Sequence, residues 1–220
     1  EQGIEKVSKF MMPILVLLTL FVALYGLTID GAMDGLSYYL KPHMADVSAK
    51  TILAAMGQLF YSMSLAMGIM ITYGSYMKKE NHLESSVRQI EIFDTGVAFL
   101  AGLMIIPAVF SFSGGDSSAL QAGPGLMFIT LPKVFGNVVG TVFFLLVFFA
   151  ALTSAISLME TIVSILRDKL GWTRKGTCVF VTILALVMGV PSSLGFGPLS
   201  FISWMGMSVL DIMDFVSNSV

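Results

Sequence analysis

Long apolar runs constrain this chain more than any short motif does. They occupy residues 10–29, 51–77, 90–112, 134–166 and 176–190, with only Glu91, Asp94 and Glu160 as carboxylates inside them. About twenty apolar residues wound as a helix cross the hydrocarbon core of a bilayer, where lipid offers no partner to an unpaired backbone N–H or C=O. The expected fold is therefore all-α, a polytopic membrane helix bundle of five spans. Leu210-Asp-Ile-Met-Asp-Phe reads as the opening turn of a sixth helix starting at 210. Composition agrees, at 56% hydrophobic and 12% charged residues and a mean hydropathy of +0.88.

The same figures exclude several classes. A net charge of −2 gives no basic surface, so no nucleic-acid partner is expected. Two His and one Cys supply neither a zinc cluster nor a disulfide framework. Cys178, inside an apolar run, reads as inert packing. The charged residues 1–9 and the long run after them do not fit a signal peptide, so the chain is expected to begin within a longer protein.

Lys and Arg set the orientation. Lys6, Lys9, Lys78, Lys79, Arg88, Arg167, Lys169, Arg174 and Lys175 fall on one side of a path alternating through five spans; Lys41, Lys50 and Lys133 fall on the other. Cytoplasmic loops carry the positive excess, so the first side is cytoplasmic. Asp30, Asp116 and the loop after Pro191 then face outward, as expected of a multi-pass protein of the plasma membrane.

The second run is the unusual one. Its middle, Ser62-Met-Ser-Leu-Ala-Met-Gly68, reads as a break in the helix. A break at membrane depth frees backbone groups that must line a protein cavity. Ser62 and Ser64 supply oxygens and Gly68 tolerates unusual dihedrals; freed carbonyls suit a cation, and a half-helix N-terminus suits an anion. A zwitterion with sodium ions fits that arrangement, although small residues also ease plain helix packing in a bundle.

Ionisable groups inside spans come next, because they are costly there. Asp94 lies near the expected cytoplasmic start of its helix, where it acts either as a site carboxylate or as a solvated cap. Glu160 reads as an interfacial carboxylate paired with Arg167. Thr153 and Ser154 follow Ala150-Ala151 with two hydroxyls, though a helical Ser or Thr commonly bonds its own i−4 carbonyl and does no more. Pro13 stands in the early turns of the first span, ten residues after Gly3, so that end can unwind at low cost. The 30–50 loop is expected to hold a short surface helix at 36–40. Ser113-Gly-Gly-Asp-Ser-Ser118 and Gly123-Pro-Gly125 mark a long loop with a re-entrant or surface-packed segment, and Pro191 is expected to stop the fifth span.

Taken together these features resemble a known family. Gly57-Gln-Leu-Phe-Tyr-Ser-Met-Ser-Leu-Ala-Met-Gly-Ile-Met-Ile-Thr-Tyr-Gly-Ser-Tyr76 is similar to the unwound sixth transmembrane helix of the neurotransmitter:sodium symporters, in their bacterial amino-acid transporter branch. Phe148-Phe-Ala-Ala-Leu-Thr-Ser-Ala-Ile-Ser-Leu-Met159 resembles their eighth helix, and Gly3 with Pro13 their fifth-helix motif. Gly123-Pro-Gly-Leu-Met-Phe-Ile-Thr-Leu-Pro132 resembles the end of their long extracellular loop, and 210–215 the start of their tenth helix. The resemblance covers the whole chain, in order. It implies a partial inverted-repeat sodium symporter fold with one discontinuous helix, residues 1–220 being a fragment from the fifth helix to the start of the tenth.

The resemblance also implies roles. Tyr61, Ser62, Ser64, Met67, Ser154 and Leu158 would line an amino-acid pocket. One Na+ would be held at Ser62 and Asp94, and a second by the Ala150 carbonyl with the Thr153 and Ser154 hydroxyls, hard oxygens throughout. Gln58 and Asp214 match outer-gate positions; Gly3 and Pro13 match a segment whose unwinding opens the inner sodium site. Each sodium site would be only partly supplied here, since the missing N-terminal helices of the same transporter complete both. Many members carry Asn where this chain has Asp94, so a full charge would face the first sodium and chloride would become unnecessary. Met67 stands where some have Phe and Ala66 where many have Gly, which points to a hydrophobic or aromatic amino acid. The implied function is sodium-coupled symport by alternating access.

Other classes fit less well. A structural or accessory membrane protein, or a non-transporting fragment, would share the hydropathy without needing Asp94, Ser62 and Thr153-Ser154 together. A channel subunit would show carboxylate rings or a filter loop. An enzyme is not expected, since His43 and His82 both lie in loops away from any nucleophile.

Overall fold

The computed structural model describes residues 2–218 except 42, 43, 45, 46, 79, 81, 115–124 and 203–206. The expectations placed on Pro42, His43, Lys79, Asp116, Gly123 and Pro124 lie outside the described residues, as does the side chain of Ala66. The fold is helical throughout, with eight α-helices among the described residues: α1 (Gln2–Leu27), α2 (Ala32–Leu40), α3 (Ala49–Ser62), α4 (Ile69–Ser75), α5 (Leu83–Ser113), α6 (Leu131–Leu170), α7 (Arg174–Leu194) and α8 (Val209–Asn218).

Each boundary has a local cause. Gly31, at φ 82°, turns the chain from α1 into α2 in the left-handed region that glycine enters without a Cβ clash. Before α3, Ser48 Oγ accepts from the Thr51 N–H and Thr51 Oγ1 accepts from the Ser48 N–H, a reciprocal cap. Ser208 and Asp211 cap α8 likewise: the Ser208 N–H donates to Asp211 Oδ2 at 2.9 Å, and the Asp211 N–H donates back to Ser208 Oγ at 3.2 Å. Thr173 caps α7 by accepting from the Gly176 N–H.

Four helical segments among the described residues are long and apolar enough to cross a membrane: Gly3–Leu27, Leu83–Ser113, Leu126–Leu170 and Arg174–Leu194. The run at 51–77 is absent from that set because it is divided. It forms α3, a 3-10 turn at Leu65–Met67, and α4.

Three local expectations are corrected. The surface helix expected at 36–40 is longer and packs against α5 instead of lying free. Pro191 does not end its helix, which continues to Leu194: the ring removes one donor and crowds the preceding turn, but the Pro191 carbonyl still accepts from the Gly195 N–H at 2.9 Å. The span expected from 134 is interrupted at Gly136, whose φ of 65° and ψ of −167° are not helical. Before it, Leu126–Thr130 winds as one π-helical stretch leading into Leu131, which is fully buried.

The chain forms two compact units, Glu1–Ser157 and Leu158–Val220. In the first, Val22 and Ala23 of α1, Met104, Ala108 and Val109 of α5, and Leu131, Phe135, Val139, Phe143 and Leu146 of α6 make one core. Close backbone approach binds α2 to α5: Gly35 sits on Pro107 and Phe110, and the Tyr39 ring lies across Gly102. Tyr38 and Phe110 stack at 4.8 Å between centroids, and Ser111 Oγ donates to the Asp30 carbonyl. These contacts hold α2 along the C-terminal half of α5.

In the second unit, Glu160 pairs with Arg174 at 2.6 Å and not with Arg167. Seven residues separate Glu160 from Arg167 on one helix, a rise of about 10 Å, too far for a direct contact. Gly171, at φ 65°, reverses the chain and returns Arg174 to the carboxylate. The carboxylate side chain is only 5% exposed, and Thr177 and Val181 of α7 are buried with it.

A Cβ on Gly35 would lie 2.7 Å from Phe110 Cβ and 2.8 Å from Pro107 Cα. Gly35→Ala is therefore expected to cost about 1–3 kcal/mol, measured by thermal unfolding in detergent. Arg174→Met removes the cation paired with a buried carboxylate and is expected to cost about 2–3 kcal/mol, below the fully buried range because Arg174 is 41% exposed. Adding Glu160→Leu should restore most of that loss; a double variant as unstable as the sum of two damaging singles would refute this account of the pair.

Candidate functional site

The site begins at the break. Helical bonding in α3 ends with the Met63 N–H donating to the Leu59 carbonyl, and it resumes where the Thr72 N–H donates to the Gly68 carbonyl. Between them the bonds are tighter i−3 turns, Ser64 to Tyr61 and Met67 to Ser64. Ser64 adopts φ 54° and Gly68 φ 73°, both left-handed. Gly68 meets its expected role. Ser64 is the single non-glycine residue with positive φ among those described, a conformation costing about 1–3 kcal/mol that persists where surrounding structure demands it.

The break faces α5. Ser62 Oγ, on the last residue of α3, donates to Asp94 Oδ1 at 2.7 Å. That length suits a charge-assisted bond to a carboxylate. Helix α5 begins at Leu83, not near Ile90, so Asp94 stands about three turns inside it and cannot be a first-turn cap. Asp94 is half-buried, Ser64 and Met67 are half-buried beside the break, and Tyr61 is exposed.

A second cluster occupies one turn of α6. Thr153 Oγ1 donates to the Ala150 carbonyl at 2.9 Å, bonding i−3 where i−4 was the ordinary expectation. Ala150 and Ser154 line a cleft of about 390 Å³, whose other walls include Leu15 and Thr19 of α1 and Ala101 and Met104 of α5. The wall is apolar except for Thr19 and Ser154, and the Thr19 hydroxyl is already bonded to the Leu15 carbonyl at 2.8 Å. Ser154 therefore presents the exposed hydroxyl of that wall.

The remaining predicted residues are dispersed. Gln58 lies exposed on α3, while Leu158 and Asp214 are exposed in the second unit. Gly3 and Pro13 lie in α1, which is wound from Gln2 onward, with Pro13 accommodated inside it. Sequence reasoning passed over Thr19, a buried hydroxyl within a span, and Tyr73, whose Oη donates to Ser157 Oγ at 2.9 Å. A lone hydroxyl in an apolar run was the available signal for each, and it does not reveal a partner 84 residues away.

Both clusters are built of hard oxygens: a carboxylate with a hydroxyl in one, a carbonyl with hydroxyls in the other. This donor chemistry suits weakly polarising cations and not thiophilic metals. The paired oxygens stand 2.7 and 2.9 Å apart, close enough to serve one small ion together.

Known proteins resemble this chain over its full length. Residues 1–220 match the sodium:neurotransmitter symporter family. The uncharacterised sodium-dependent transporter YhdH of Bacillus subtilis is 40% identical, covering 100% of this chain and 49% of the relative. An uncharacterised sodium-dependent transporter of Haemophilus influenzae is 33% identical over 99% of this chain and 48% of its own length. The crystal structure of MhsT in complex with L-phenylalanine superposes with a TM-score of 0.84 at 39% identity, covering 100% of this chain and 51% of that one. The chain thus spans about half the length of the relatives it matches. With its broken helix, its apolar spans and a match from the first residue to the last, this chain belongs to the sodium:neurotransmitter symporter family and is a multi-pass protein of the plasma membrane.

Proposed function

We propose that this chain is part of a sodium-coupled amino-acid symporter working by alternating access. The observation that carries the reading is the Ser62–Asp94 hydrogen bond at the broken helix, which places a carboxylate and a hydroxyl beside bared backbone at 2.7 Å. Asp94 and Ser62 hold one sodium ion, and the Ala150 carbonyl with Thr153 and Ser154 holds a second. Helices of the same transporter outside these 220 residues complete both sites. A sodium ion at Asp94 supplies positive charge next to the substrate carboxylate.

The chain's own residues then divide the work. Asp94 keeps the first ion within reach of the break, and Ser62 orients its carboxylate. Tyr61, Ser62, Ser64, Met67 and Ser154 line the amino-acid pocket, and the family resemblance assigns Leu158 to it as well. Met67 fills irregular apolar space, which favours a hydrophobic or aromatic side chain; the phenylalanine in the MhsT complex is consistent with that preference. Gln58 and Asp214 act at the outer gate, and unwinding between Gly3 and Pro13 opens the inner ion site.

Binding of a radiolabelled amino-acid panel to the full-length transporter tests the reading. Binding is expected to require sodium, with a hydrophobic or aromatic amino acid retained best. Asp94→Ala and Ser154→Ala should each weaken it about tenfold or more, the range for losing a bond to a charged group. Binding indifferent to sodium removes the proposal. Because Asp94 brings a fixed negative charge, replacing chloride with gluconate should leave uptake unchanged; a clear drop would show that the carboxylate does not stand in for an anion.

A further inference from the structure

A relay of hydroxyls ties the inner half of the broken helix to the turn of α6 that carries the second oxygen cluster. Tyr73 Oη on α4 donates to Ser157 Oγ at 2.9 Å, Ser157 Oγ donates to the Thr153 carbonyl at 3.2 Å, and Thr153 Oγ1 donates to the Ala150 carbonyl at 2.9 Å. The last two bonds stay within neighbouring turns of α6. The first joins separate helices and is the tertiary link. Helix α4 has only seven residues and hangs from Gly68 at φ 73°. So short a helix has little stability of its own, so what it is bonded to sets its position.

We propose that Tyr73 is a positioning residue whose hydroxyl latches α4 to Ser157, holding the Thr153 and Ala150 oxygens in register for a cation, so that release of the latch frees α4 and loosens the ion site together. The proposal rests on the reading of Ala150, Thr153 and Ser154 as a sodium site. Ring position and hydroxyl function separate cleanly, because the Tyr73 ring also meets Tyr76 edge-on at 6.5 Å between centroids. Tyr73→Phe keeps that contact and deletes only the donor. Thr72 Oγ1 and Ser75 Oγ bond within α4 itself, to the Gly68 and Thr72 carbonyls, and do not replace the link.

Two readouts on the full-length transporter test the latch: hydrogen exchange of residues 69–75 in sodium-free buffer, and the sodium concentration that half-saturates amino-acid binding. Tyr73→Phe and Ser157→Ala are each expected to speed exchange about three- to tenfold and to raise half-saturation by a similar factor, the scale of one neutral hydrogen bond. The double variant should be no worse than Ser157→Ala alone, since that substitution already removes the bond that Tyr73→Phe deletes. Ser157→Thr, which keeps the hydroxyl, should stay within about twofold of wild type on both readouts. Unchanged exchange, strictly additive effects, or faster exchange with an unmoved half-saturation would each overturn the proposal. If the wild type binds without regard to sodium, the symport reading and the coupling fall together, whereas the exchange arm still decides whether the latch exists.

Discussion

Lipid cannot hydrogen-bond to a peptide group, and the break between Ser62 and Gly68 exposes several of them in the middle of an apolar run. The fold answers this within the break itself. Locally, Ser64 and Gly68 enter the left-handed region and tighten the chain into i−3 turns, so part of the bonding is recovered within the break. Beside the break, α5 brings Asp94 to the last turn of α3, where the carboxylate accepts from the Ser62 hydroxyl, a bond between side chains.

That arrangement needs α5 to be held firmly, and most of the first unit serves this end. Helices α1 and α6 bury Val22, Ala23, Phe135 and Phe143 against its C-terminal half, where Met104, Ala108 and Val109 meet them. Helix α2 clamps the same half through Gly35, which allows backbone to touch Pro107 and Phe110 directly. Pro107 is buried in α5 and lacks a donor, so packing on both sides supports the helix where its own bonding is weakest. Other links are polar: Tyr73 to Ser157 within the first unit, and Glu160 to Arg174 within the second. Packed apolar contacts resist sliding, whereas single polar links can break and re-form.

Several features could be read without coordinates because they depend on neighbours in sequence. The apolar runs, the break marked by Ser62, Ser64 and Gly68, and the family resemblance all belong to this group, and the family match covers residues 1–220. The misreadings share a cause too. Asp94 was placed near a helix start because the polar stretch before Ile90 looked like a loop, yet residues 83–90 wind into α5 and push Asp94 about three turns inward. Glu160 was assigned to Arg167 on proximity along the chain, while the turn at Gly171 delivers Arg174. Pro191 reads as a stop from sequence, but a proline near the end of a helix removes one donor without disabling its carbonyl.

Hydrophobic period, length and helix-breaking residues are properties of a local stretch, so the sequence by itself determined that this is a helical membrane protein with a broken second span and oxygens at 62, 94, 150, 153 and 154. Which of those oxygens face each other depends on how separate helices pack. Only the tertiary structure paired Ser62 with Asp94, Glu160 with Arg174 and Tyr73 with Ser157, because each bond closes between residues that the chain's connectivity leaves free to lie far apart.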